Sequence, residues 1–180
     1  MDIKRMLSQT ASDLNYSLVG NNVTGLFTPN EQSAIDSLLR AGFSLQQLPA
    51  VLANISVETD GTFDVGMKQY GGGPGRGMFQ FEGSQLRDYN KFKGDQEDSM
   101  YLQSKFVHKN IFGDKGDRPH DLGWRARGLL SDALTDESSV RSKAKVFSDQ
   151  YEKPSTPHLK KRQDEADRYN KLLFLNMVDL

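Results

Sequence analysis

The chain of 180 residues contains no cysteine, which excludes disulfides and thiolate metal sites and fits synthesis in a reducing cytoplasm. No apolar run approaches the roughly 20 residues a membrane-spanning helix requires. Mean hydropathy is -0.64 and only 36% of residues are hydrophobic, so no membrane insertion is expected. The opening MDIKRMLSQTASDLNYSLVG has no continuous apolar core, and no secretory signal peptide is expected from it. A net charge of -1 provides no global field to attract nucleic acid. His108, His120 and His158 have no metal-ligand spacing among themselves, so neither metal nor cofactor is expected.

What the chain does contain is helical periodicity interrupted by one glycine-rich stretch. Its length suits a single compact domain over 1–180, with residues 1–25 a peripheral N-terminal helix ended by Gly20-Asn21-Asn22. Thr28-Pro29-Asn30-Glu31 has the order of a capping box with proline at the first helical position. That helix is expected to run through Ile35, Leu38 and Leu39 and to stop at Gly42. Further helices are expected from Ser84 through Phe92, Asp98 to Phe112, Asp121 to Leu130, Thr135 to Tyr151 and Pro157 to Leu175. Trp124 is expected in the core. Gly113-Asp114-Lys115-Gly116-Asp117 lacks the alternating ligands of a calcium loop and reads as a surface turn.

The stretch from Ala50 to Phe81 organises the rest. Leu48, Leu52 and Ile55 fall at i, i+4 and i+7 and predict one buried helix face. Pro49 predicts either a kink or a regular helix that starts at the proline. Glu58 lies three residues beyond Ile55, at the border of the buried face, and Asp60-Gly61 ends the helix. The negative end of the helix and apolar neighbours both disfavour an ionised carboxylate there, which suits a proton donor. The stretch from Gly66 to Gly83 contains seven glycines, both ends included, and Pro74, with neither a dinucleotide fingerprint nor a Walker sequence among them. Met78-Phe79-Gln80-Phe81 alternates weakly and predicts a small β-hairpin.

Asn54-Ile55-Ser56-Val57-Glu58-Thr59-Asp60-Gly61-Thr62-Phe63-Asp64, followed by the glycine loop and Gly77-Met78-Phe79-Gln80, resembles the active-site segment of the phage tail lysozyme family, which is akin to goose-type lysozymes and soluble lytic transglycosylases. A second patch, Phe147 to Arg162 (FSDQYEKPSTPHLKKR), resembles the Tyr/Phe-Glu-x-Pro…Pro-His-Leu stretch of the same family. The resemblance implies a mainly α fold with a minor β-hairpin, an α+β lysozyme-like domain with a sugar-binding cleft. It implies cleavage of the β-1,4 bond between N-acetylmuramic acid and N-acetylglucosamine in bacterial peptidoglycan, with Glu58 as the general acid.

By the same resemblance Gln80, the Gly77 backbone and Tyr70 position the sugars, and Tyr151 orients Glu58. Tyr70, Phe79 or Phe81 are expected against sugar faces, with at least one of the two phenylalanines in the core. A hydrolase needs a second carboxylate, for which Asp60, Asp64 and Glu82 are candidates, with Asp64 preferred. A lytic transglycosylase needs none. Glu58-Thr59 departs from the Glu-Ser usual in transglycosylases, and no Ala-Tyr-Asn-x-Gly segment follows. The alternatives are such a transglycosylase, giving 1,6-anhydro products, or an inactive lysozyme-like structural protein of the virion. The expected partners are peptidoglycan and phage tail or internal virion proteins. The expected setting is a virion-associated protein, made in the host cytoplasm and acting in the host periplasm or cell wall.

Overall fold

The computed structural model describes residues 26–178 except Lys115 and Ser155, so the helix expected within residues 1–25 lies outside the described residues. Seven α-helices are formed among them: α1 (Pro29–Ala41), α2 (Leu48–Glu58), α3 (Gly83–Lys93), α4 (Met100–Phe112), α5 (Trp124–Thr135), α6 (Val140–Phe147) and α7 (Leu159–Val178). A π-helical turn, Ser148–Glu152, extends α6, and a short 3-10 turn, Tyr70–Gly72, interrupts the glycine loop.

The start of α1 forms the expected capping box. Thr28 Oγ1 accepts the Glu31 amide at 3.2 Å, and Glu31 accepts the Thr28 amide at 2.8 Å. Gly42 ends the helix in the left-handed region, at φ 111°, where a side chain is disfavoured. Glu31 also reaches across to α7. Arg168 Nη2 donates to it at 2.7 Å and the Tyr169 hydroxyl at 2.6 Å. Burial disfavours the Glu31 charge, but the hydrogen bonds from Tyr169, Arg168 and Thr28 outweigh it and hold the carboxyl below its ordinary range.

Of the two outcomes expected around Pro49, the structure has the later start. A turn at 45–47 precedes α2, and the proline sits in the helix's first turn, where its missing N–H costs nothing. The expected single buried face of α2 is corrected. Every residue from Leu48 to Ser56 is buried, because α1, α6 and α7 pack around it, with the α7 contact the most extensive. A helix apolar on all sides is the central one of a bundle. Its 3.6-residue pattern is hidden because Pro49, Ala50, Val51 and Ala53, on the other sides of the helix, are apolar too.

Four other expectations change. The alternation at 78–81 gives no hairpin. Lys68 and Arg76, and Arg76 and Phe81, form isolated antiparallel bridges, and no longer strand forms among the described residues. Gly77 and Gln80 both have positive φ, 76° and 49°, which bends the segment too sharply for a strand. Thr135 ends α5 and does not begin the next helix, which is capped by Ser139 through its bond to the Ser142 amide. Trp124 is the first residue of α5 and 86% exposed, so it is not a core residue. α3 begins at Gly83, and its N-cap is Glu82, two residues ahead of the expected Ser84. Helix α4 matches closely: Leu102, Phe106 and Val107 are buried, and Ser99 caps it.

Candidate active site

Helix α2 delivers Glu58 as its last residue, and the next four residues fix how the chain leaves it. Thr59 is buried. Its amide and hydroxyl both donate to the Ile55 carbonyl, at 2.9 and 2.8 Å, and its hydroxyl oxygen accepts the Phe63 amide at 3.0 Å. Asp60 and Gly61 then turn through left-handed φ values of 47° and 78°. The Gly61 amide closes the helix end on the Ser56 carbonyl at 2.8 Å. Glu58 is thus held on a rigid exit, with its side chain 16% exposed.

It opens into a cleft of about 960 Å³. The α2 end, Met67 and Gln69 of the glycine loop, Phe79, Gln80 and Glu82, and Glu152, Pro154, His158 and Arg162 form its walls. That volume falls in the range of small-molecule and oligosaccharide-sized sites. A second concavity, about 400 Å³ between the α5–α6 turn and α7, lies apart from Glu58.

Behind Glu58 stands a buried arginine. Arg162, 1% exposed, donates Nη2 to Glu58 Oε1. Its Nη1 donates to Asn54 Oδ1 at 2.7 Å and to Glu152 Oε2. Its Nε donates to the Pro157 carbonyl at 2.7 Å. Asn54, wholly buried in α2, is itself fixed by donating to the Ala50 and Ala144 carbonyls at 2.8 and 3.1 Å. The guanidinium therefore spans two carboxyls, one on the cleft and one in the core, with a rigid amide beside it.

Glu152 is that core carboxyl. Its side chain is 2% exposed, and Oε1 is buried with no donor. Burial pushes its carboxyl well above the ordinary range. Arg162 opposes that shift and the negative charge of the neighbouring Glu58 adds to it.

Of the other residues singled out in the sequence, Phe79, Gln80 and Glu82 line the cleft with Glu58. Gln80 Nε2 donates to the Gly77 carbonyl at 2.7 Å, so its amide also holds the turn. Phe79 and Phe81 are both buried and stack at 5.7 Å, with Phe79 reaching the cleft wall and Phe81 turned to Tyr89 and Phe106. Gly77 is buried behind the cleft. Its amide donates to the Met67 carbonyl at 2.8 Å, and a Cβ there would lie 2.5 Å from Gln103 Oε1. Tyr151 is buried and its hydroxyl accepts from Asn110 Nδ2 at 3.1 Å, one residue before Glu152. The Tyr70 backbone forms the 3-10 turn, and its side chain lies outside the described residues. Asp64 is exposed, bonded to the Gly66 amide at 2.8 Å, and is not among the residues lining the cleft. Asp60 is in the lining and pairs with Lys161 at 3.2 Å.

Three contributors were not singled out from the sequence: Arg162, Glu152 and Gln103. Arg162 had a signal. It stands at i, with Ala166, Tyr169 and Leu173 at i+4, i+7 and i+11, all buried. An arginine in the apolar stripe of a helix needs a buried partner. Gln103, fully buried in α4, takes the Met78 amide on Oε1 at 2.8 Å and donates to the Val65 carbonyl at 3.0 Å. It fastens the glycine loop from behind, and nothing in its local sequence marks it.

A family model for phage tail lysozyme matches residues 29–173. The chain belongs to the phage tail lysozyme family, whose general activity is lysis of peptidoglycan. No curated protein and no solved structure matches it. Among the described residues no helix is long and apolar enough to cross a membrane, and no group of three or more His, Asp or Glu side chains could hold a metal ion.

Proposed function

We propose that the protein is a muramidase that cleaves the β-1,4 bond between N-acetylmuramic acid and N-acetylglucosamine, with Glu58 as the general acid. The observation that carries this reading is the position of Glu58, a mostly buried carboxyl at the head of a cleft and backed by a buried guanidinium. The carboxyl gives its proton to the glycosidic oxygen as the bond to the anomeric carbon breaks. The Arg162 charge then stabilises the carboxylate left behind. Gln80 and the wall at Phe79 hold the sugar against Glu58.

For the second carboxylate of a hydrolase, Glu82 is favoured over Asp64. Glu82 is exposed in the cleft lining, whereas Asp64 lies outside it and Asp60 is engaged by Lys161. The same facts support the transglycosylase as the second reading, because no other acid with a free carboxyl lines the cleft among the described residues. An inactive structural role is disfavoured by the presence of the acid itself. The protein is proposed to travel with the virion, in the tail or as an ejected protein, and to act on the host wall. Digestion of purified peptidoglycan with mass analysis of the released muropeptides tests the reaction. Muramic acid at the reducing end is the expected product. 1,6-Anhydro ends would replace hydrolysis by transglycosylation, and an intact sacculus would overturn both.

A further inference from the structure

The mechanism proposed above, on which this inference rests, gives Glu152 no role, yet one buried arginine, Arg162, is bonded to both Glu58 and Glu152. Glu152 retains a buried oxygen with no donor. Two carboxylates on one guanidinium leave a net negative charge in the interior, and a single proton on the pair makes the trio of one guanidinium and two carboxyls electrically neutral. Neutrality matters here because an unpaired charge in the interior is costly.

We propose that Glu58 and Glu152 form a one-proton pair across Arg162, with Glu152 the positioning residue that keeps a proton available to the catalytic Glu58. In the resting pair the proton sits on Glu152, the more buried of the two. It shifts to Glu58, and the charge left on Glu152 is still bonded to Arg162. Glu58 then passes the proton to the glycosidic oxygen as the C–O bond breaks. For that moment both carboxyls are ionised, and the excess negative charge faces the positive charge developing on the sugar ring. The proton released by the attacking hydroxyl returns to Glu58 and restores the pair, so no proton is consumed overall. The charged and titratable groups around the pair are Arg162 from α7, Tyr151 beside Glu152, and Asp60, Glu82, Lys153 and His158 in the cleft lining. Burial keeps the Tyr151 phenol well above its ordinary range and therefore neutral.

The test is the pH profile of kcat/KM on peptidoglycan for the parent protein, Glu152→Gln and Glu152→Asp. Glutamine keeps the shape but cannot supply or take the proton, so Arg162 acts on Glu58 alone and favours its ionised form. The high-pH limb should move down by about one unit or more, and activity at neutral pH should fall about tenfold. Glu152→Asp, which titrates, should recover part of both. A Glu152→Gln profile of parental shape, with only its height or the melting temperature reduced, would overturn the proposal. Should that variant not fold, infrared spectroscopy of the intact parent protein, labelled at the glutamate side-chain carboxyls, reads the pair directly. A protonated carboxylic acid at neutral pH is expected, and carboxylate bands alone would overturn the pair. This second readout does not depend on activity. Intact peptidoglycan together with a protonated acid would refute the muramidase reading and leave the proton pair standing.

Discussion

Arg162 donates to Glu58 across 104 residues of chain, joining the end of the most buried helix to the first turn of the last one. The two sequence patches that resemble the phage tail lysozyme family meet at this bond. In Glu58→Gln the Arg162 side can still bond the amide oxygen, so the fold should persist. The transferable proton is lost, and general acid catalysis is commonly worth 10²- to 10⁴-fold. Peptidoglycan turnover should drop by about that factor, with the melting temperature within a few degrees of the parent. Near-parental turnover would remove Glu58 from the mechanism.

Arg162 itself is a structural tie as well as a charge. Arg162→Met keeps much of the apolar stem but leaves Asn54, Glu58 and Glu152 without their donor. Breaking a buried pair from one side costs about 3–5 kcal/mol. Urea denaturation should show a loss of that order, and Arg162→Lys should recover little of it, because one ammonium cannot reproduce the forked contact to both carboxyls. A loss below about 1 kcal/mol would mean that water replaces the guanidinium and that the site is wetter than its burial implies.

Glu152 gives stability a pH dependence of definite sign. Its carboxyl is raised above the ordinary value of 4.5, chiefly by burial. The folded protein therefore holds a proton that the unfolded chain has released, and stability falls as pH rises above about 4.5 towards the folded-state value. Glu152→Gln lacks this term. The stability of Glu152→Gln minus that of the parent should grow as pH is raised from about 4.5 to neutrality. A difference independent of pH would show that Glu152 is ionised in the folded protein.

Much of this architecture was legible because local chemistry and tertiary packing agree. The capping box at Thr28–Glu31 and the exit at Asp60-Gly61 are satisfied within a few residues, so sequence alone locates them. The place of Glu58 at the end of an apolar helix was legible for the same reason, and its role as an acid rests on the family resemblance. Arg162 was obscured by Lys160 and Lys161 before it, which make its turn look like a solvated face. Only the stripe through Ala166, Tyr169 and Leu173 distinguishes it. Glu152 is the last residue of a π-helical turn, where neither a 3.6-residue nor a two-residue period indicates which way a side chain points. Trp124 is a different case. A large aromatic normally buries its surface, but its place at the first position of α5 points it away from the core.

Gly77 separates a binding role from a structural one. The family resemblance gives its backbone to sugar binding, yet in the fold it is buried at φ 76°, and an added Cβ would lie 2.5 Å from Oε1 and 2.7 Å from Nε2 of Gln103. Gln103 cannot easily withdraw, because the same amide holds Met78, Val65 and Asp98. Gly77→Ala therefore combines a left-handed conformation unfavourable to alanine by about 1–2 kcal/mol with the loss of bonds to a buried amide, each about 1–3 kcal/mol. The expected result is a fall in stability of about 2–4 kcal/mol, with KM and kcat changing together as the loop carrying Phe79 and Gln80 shifts. Gln103→Ala provides the control. It removes the collision, so the double variant should be less destabilised than the sum of the two single ones. Additive losses would mean that the two sites act independently. A rise in KM without loss of stability in Gly77→Ala would instead return Gly77 to the sugar-binding surface.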